Sequence, residues 1–138
     1  MTERDILHPV FALVGLTFAV LACIGVQRIR ATRTGAISAR DFAHGESQAV
    51  PPEVLLPNRN FMNLLEVPVL FYVACVLLYA SKTADSPALV LAWAFVAFRF
   101  AHTAVHLTYN QVIHRLILFA AGNAVLLALW VRLFFLLA

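Results

Sequence analysis

The stretch 87-PALVLAWAFVAFRFAHTAVHL-107 stays apolar for about the 20 residues that a helix needs to cross a bilayer. It nevertheless carries Arg99, His102 and His106, spaced i, i+3 and i+7, on one face of such a helix. Ionisable groups inside a span are costly and normally face a partner or a cavity. The rest of the chain has to supply what that face meets.

Segments 6–26, 61–80 and 116–138 match 87–107 in length and apolarity, so the chain reads as four transmembrane helices. None alternates polar and apolar residues as the strands of a membrane barrel do. The 138 residues suffice for one domain, 1–138, an all-α integral membrane four-helix bundle. Apolar residues make up 62% of the chain and charged residues 12%, with a mean hydropathy of +0.86. A small soluble domain has too much surface per unit volume to be covered by so few charges. A disordered chain and a disulfide-stapled module are excluded as well. Cys23 and Cys75 lie in apolar runs and read as small buried side chains. The net charge of +3 is scattered and offers no footing for nucleic acid. The 6–26 run is long for a signal peptide and its basic cluster follows it, so it reads as a retained helix.

The 27–60 connection carries Arg28, Arg30, Arg33, Arg40 and Arg59, and the 108–115 turn on the same side adds Arg115. The opposite side has Arg4, Lys82 and Arg132. The positive-inside bias therefore places the 27–60 loop in the cytoplasm and both termini outside. Pro51, Pro52 and Pro57 are expected to stiffen the approach to the second helix, with Asn58 or Asn60 as its cap.

At the start of that helix Arg59, Asn63 and Glu66 stand at i, i+4 and i+7, again on one face. At 1.5 Å per residue, Glu66 lies roughly 7–8 Å below the cytoplasmic surface. His102, on a helix running the other way, reaches a similar depth, and Arg99 lies a turn deeper. Arg115 opens the fourth helix in the same layer. Plainer readings exist for each residue. Glu66 and Arg99 would form a structural ion pair, while Arg59, Arg115 and Arg132 would snorkel to the interface. Asn123 would be interhelical glue. His102 and His106, even with Glu66, lack a convincing ligand set, so no metal is expected. Pro68 is placed to kink the second helix just beyond Glu66. As a group, however, the cations outnumber the one carboxylate, and surplus positive charge in a layer of low dielectric calls for an anion. A small, multiply carboxylated ligand with an amine for Glu66 meets that requirement, a peptide thiol such as glutathione among others.

The run Arg59-Asn-Phe-Met-Asn63-Leu-Leu-Glu66, followed by Val67-Pro68, has an R-x-x-x-N-x-x-E pattern. It resembles the second-helix signature of the MAPEG family, the membrane-associated proteins of eicosanoid and glutathione metabolism. Arg99-Phe-Ala-His102-Thr103, then His106, then Arg115 nine residues later, resembles the third-to-fourth-helix segment of the same family. The resemblance covers almost the whole chain and looks like the bacterial, microsomal glutathione transferase-like branch. It implies a homotrimer in a bacterial inner membrane, surrounded by lipids, with active sites between subunits that open to the cytoplasm. It implies glutathione as co-substrate and a lipophilic small molecule as its partner in the reaction. By matching positions, Arg59, Asn63, Glu66, Arg99 and His102 would contact glutathione, and Arg28 or Arg30 would reach it from an adjacent subunit. Arg115 matches the arginine that stabilises the thiolate. His106 stands where many members carry a tyrosine. A histidine there would donate a hydrogen bond or act as a base, and the departure bears on catalysis more than on binding.

The reading is a glutathione-dependent membrane transferase or peroxidase acting on lipophilic electrophiles or lipid hydroperoxides. The alternative is a non-catalytic protein on the same scaffold that binds glutathione, a lipid or a protein partner. A small multidrug-type transporter is the third class. Segment 6–26 has no acidic residue of the kind such transporters need, and the polar residues crowd one membrane face instead of the midplane.

Overall fold

The computed structural model describes residues 2–42 and 50–138. A 3-10 turn, Glu3–Leu7, leads into α1 (His8–Arg33), and a second, Ala39–Phe42, follows it. The chain then forms α2 (Pro52–Leu65), α3 (Pro68–Ser81), α4 (Ser86–Leu107) and α5 (Val112–Leu137). No strand occurs among the described residues. Four helical stretches are long and apolar enough to cross a membrane, the second being α2 and α3 end to end. The protein is thus an integral, multi-pass helical membrane protein.

Two boundaries differ from the sequence expectation. Helix α1 continues past residue 26 to Arg33, and α2 begins at Pro52 instead of near 61. Much of the expected 27–60 loop is therefore helix, while its residues 43–49 lie outside the described residues. Hydropathy marks where lipid ends, but a backbone ladder stops only where its geometry is broken. For α1 that place is Gly35, whose φ of 74° is left-handed and favours glycine. The next residue, Ala36, returns its N–H to the Ala31 carbonyl at 2.9 Å. At the other side Pro52 occupies the first helical position, where a missing N–H costs nothing. Neither Asn58 nor Asn60 caps the helix, since both lie within it. A small apolar cluster of Ala31, Ile37, Val50 and Val54 holds this connection against the end of α1.

The kink expected at Pro68 is a full break. Helix α2 ends at Leu65, Glu66 turns to a ψ of −88°, and α3 restarts on Pro68. Proline has no N–H for the carbonyl four residues back, here that of Leu64, and its ring crowds that carbonyl.

Leu13, Val20, Phe71, Leu78, Phe95, Leu129 and Leu133 lie in the buried core, and the most extensive helix contact is that of α4 with α5. Gly122 permits this close crossing, because a Cβ there would sit 3.3 Å from the Phe98 Cβ. Phe11, Phe18, Val90, Leu127, Phe134 and Phe135 remain largely exposed around the outside, as suits a surface solvated by lipid.

At the α3–α4 end, Asp85 caps α4 by accepting from the Ala88 N–H at 2.9 Å. Its other oxygen accepts from Arg132, with Nε at 3.0 Å and Nη2 forming the ion pair. Arg132, expected only to snorkel, is thus tied to a fixed carboxylate at the N-terminus of the neighbouring helix. The Arg132 bond, helped by the Ala88 N–H, holds the Asp85 carboxyl below the usual carboxylate range. A depressed folded pKa contributes stability that is complete above the unfolded value, about 3.9, and lost as pH falls through the folded one. Asp85→Ala should cost about 1–2 kcal/mol in thermal unfolding in detergent at neutral pH. The gap to the wild type should narrow on acidification below about pH 4, where the wild type loses the same interaction. A gap that ignores pH would mean that the ionised carboxylate contributes nothing.

Candidate functional site

At the opposite end of the bundle three helices each send one polar side chain into the same space. Asn63 from α2, His102 from α4 and Arg115 from α5 line a cavity of about 240 Å³, with Val112, Leu116 and Phe119 as its apolar wall. Asn63 donates from Nδ2 to the Arg59 carbonyl one turn back, at 3.1 Å. Arg115 donates from Nη1 to the Asn110 Oδ1 at 2.7 Å.

Behind this wall lies a second set of polar groups. Arg99 is 2% exposed and stacks its guanidinium over the rings of Phe95 and Phe119, at 5.0 and 5.2 Å from their centroids. Such contacts favour a desolvated cation. Its Nη2 donates to Asn123 Oδ1 at 3.1 Å, which makes Asn123 a bridge between α4 and α5, as expected. His106 is fully buried and meets His102 edge-on, with ring centroids 5.7 Å apart. Arg99 Nε and Nη1, both ring nitrogens of His106 and Arg115 Nε are all buried without a hydrogen-bond partner among the described residues. Leaving one such group unsatisfied costs about 1–3 kcal/mol. Their concentration in one layer, beside a cavity, makes that layer a place for an electron-rich guest.

The structure thus brings Asn63, His102 and Arg115 together and keeps Arg99 and His106 one shell back. Arg59 and Glu66 are exposed, facing away from the interior of the bundle. No ion pair joins Glu66 to Arg99: Arg99 turns to Asn123, while Glu66 stands at the helix break. Arg28 is half-buried at the end of α1. Arg30 lines a different cavity, of about 180 Å³, between α1 and the start of α2, with Gln27, Thr34 and Glu53. Among the described residues no three His, Cys, Asp or Glu side chains meet as a metal-holding group.

Two residue pairs were not anticipated. Asn60 and Thr103 are buried against each other, Nδ2 donating to Oγ1 at 3.2 Å, and clamp α2 to α4 one turn from Asn63. The available signal is a polar residue on each of two apolar helices, which a capping role for Asn58 or Asn60 hides. Asn110, the anchor of Arg115, lies in a short turn with a left-handed φ of 48°. Asparagine tolerates that conformation better than most residues, and this was the available clue.

Taken together, four helical spans and a cavity lined by an amide, an imidazole and a guanidinium define a membrane protein with a polar chamber sunk into one end of its bundle. The family model described as the MAPEG family matches residues 6–135, and the chain belongs to that family. No curated protein and no solved structure gives a significant match.

Thr103→Val preserves shape but leaves the buried Asn60 amide without its partner. It should lower stability by about 1–3 kcal/mol in thermal unfolding in detergent, and Thr103→Ser should restore most of that. A valine variant as stable as the wild type would show that the clamp carries no weight.

Proposed function

We propose that the protein is a glutathione-dependent membrane transferase or peroxidase in which Arg115 stabilises the thiolate of glutathione. The observation that carries this reading is the cavity itself. A guanidinium fixed at its wall, an amide and an imidazole face one space, with partnerless donors packed behind them. Membership of the MAPEG family supports glutathione-linked or eicosanoid-type chemistry in general.

A free thiol has a pKa of about 8.5, and only the thiolate attacks. Lowering that value by about two units takes roughly 2.7 kcal/mol of preferential interaction with the anion. A guanidinium in a partly dehydrated site supplies as much. The thiol proton leaves to water. The sulfur lone pair then forms a C–S bond with an electrophilic carbon, whose leaving group departs with the displaced electron pair. With a lipid hydroperoxide the thiolate attacks the terminal oxygen and the O–O bond breaks. The departing alkoxide takes a proton from water to become an alcohol, and the sulfenic acid left on the peptide reacts with a second glutathione to give disulfide and water. Val112, Leu116 and Phe119 give the lipophilic co-substrate an apolar approach from the membrane.

In this reading Asn63 and His102 hold the peptide. Arg99 and His106 act through Phe119 and His102, so neither touches the ligand directly. Arg59 and Glu66 face outward, where a neighbouring copy of the chain would cover them and contribute Arg28 or Arg30. The working unit is then a homotrimer with its sites between subunits. The arginine-rich end faces the cytoplasm, both termini lie outside, and the membrane is the bacterial inner membrane.

A specific observation favours a second reading, in which the scaffold binds glutathione or a lipid without chemistry. The position where many members carry a tyrosine is occupied by a histidine with no face on the cavity.

Titrating the detergent-purified protein with glutathione at neutral pH, against an S-methyl-glutathione blank, should give a saturable near-ultraviolet thiolate absorbance. Arg115→Ala should abolish that signal while weakening binding only modestly. Binding without ionisation in the wild type would select the second reading, and no binding at millimolar glutathione would remove the first and leave a lipid as the ligand of the second. Native mass spectrometry in detergent should show a trimer. A stable monomer would count against sites shared between subunits.

A further inference from the structure

The turn between α4 and α5 is fastened by two side-chain bonds of the same span. The Tyr109 hydroxyl lies 3.0 Å from His114 Nδ1, and Asn110 Oδ1 accepts from Arg115 Nη1 at 2.7 Å. Of the two, the second bears on the cavity, because only Arg115 lines it. Asn110 is itself doubly constrained. Its backbone is left-handed, with a φ of 48°, and its N–H returns to the Val105 carbonyl at 2.8 Å, closing the end of α4. A residue fixed in that way presents its side chain in one direction, and Arg115 is what it meets.

The chemistry of the pair is informative. Arginine has many rotamers, and a guanidinium that wanders is a poor electrostatic partner for a localised anion. Asn110 fixes it with a neutral acceptor. A carboxylate in the same place would hold Arg115 as firmly but would cancel part of its charge and compete with any anion in the cavity. Arg115 Nη2 makes no hydrogen bond among the described residues, and Nε is buried without one. The anchor therefore uses one nitrogen of the guanidinium and leaves Nη2 for a guest.

We propose that Asn110 is the positioning residue of the site, a neutral clamp that presents Arg115 to the cavity with its charge undiminished. This rests on the reading of Arg115 as the thiolate-stabilising group.

Two substitutions separate the clamp from the turn. Asn110→Gly keeps the left-handed backbone, which glycine adopts freely, and removes only the side chain. Asn110→Asp keeps the acceptor and adds a negative charge. Two readouts are taken on the purified full chain. One is the rate at which phenylglyoxal modifies Arg115 without glutathione, followed by peptide mass spectrometry. The other is the apparent pKa of bound glutathione from thiolate absorbance against pH.

In Asn110→Gly, Arg115 should be modified several-fold faster and the thiol pKa should rise by about one unit, a tenfold loss of thiolate at neutral pH. In Asn110→Asp, modification should stay slow while the thiol pKa still rises. Thermal unfolding should be unchanged in the glycine variant. An Asn110→Gly protein with wild-type labelling and wild-type thiol pKa would overturn the proposal, since a residue that merely closes the turn predicts that result. Faster labelling in that variant, with no thiolate even in the wild type, would keep the clamp and overturn the thiol-activation reading.

Discussion

A guanidinium enclosed between two membrane helices is the constraint from which the rest of the bundle follows. Among the described residues no carboxylate pairs with Arg99; two aromatic faces and one amide oxygen hold it instead. Those partners come from both α4 and α5, so the cation is stable only while the two helices stay in contact. Gly122, next to Asn123, lets them approach closely enough. Phe119 serves on both sides, stacking on Arg99 and forming the wall of the cavity. The same residue thus fixes the helix crossing and sets the boundary between the buried charge and the open chamber.

The four crossings were legible because lipid imposes a length and a composition that few other environments demand. Helix ends were not, because α1 and α2 extend beyond the apolar runs and stop at Gly35 and Pro52 for reasons of backbone geometry. Pro68 announced its break plainly, since a missing N–H is a property of the residue itself. The pairing of Arg132 was hidden for the opposite reason. Its partner Asp85 lies 47 positions away, and a helical period says nothing about which neighbour a side chain will find.

The same limit runs through the site. Spacing showed that Arg99, His102 and His106 share a face, and that Asn63 accompanies Glu66 on another. It could not show that only His102 and Asn63 would line the cavity. Glu66 leaves the cavity because the helix breaks under it, turning a shared face into two. His106 is lost to the interior because α4 is buried most deeply where it crosses its neighbours, and Arg99 because Phe119 stands in front of it. Arg115 reaches the chamber, as its place at the start of α5 allowed, but the turn that holds it was visible only in three dimensions.

The interrupted second span has a consequence for the bilayer around it. Pro68 cannot satisfy the Leu64 carbonyl, and an exposed carboxylate stands two residues further along the chain from that carbonyl. Hydrocarbon offers donors to neither. Both groups therefore need hydration, or a donor from another chain, at a depth where lipid tails would otherwise close in. That demand falls on the α2–α3 break and has no counterpart in α5, which runs unbroken from Val112 to Leu137.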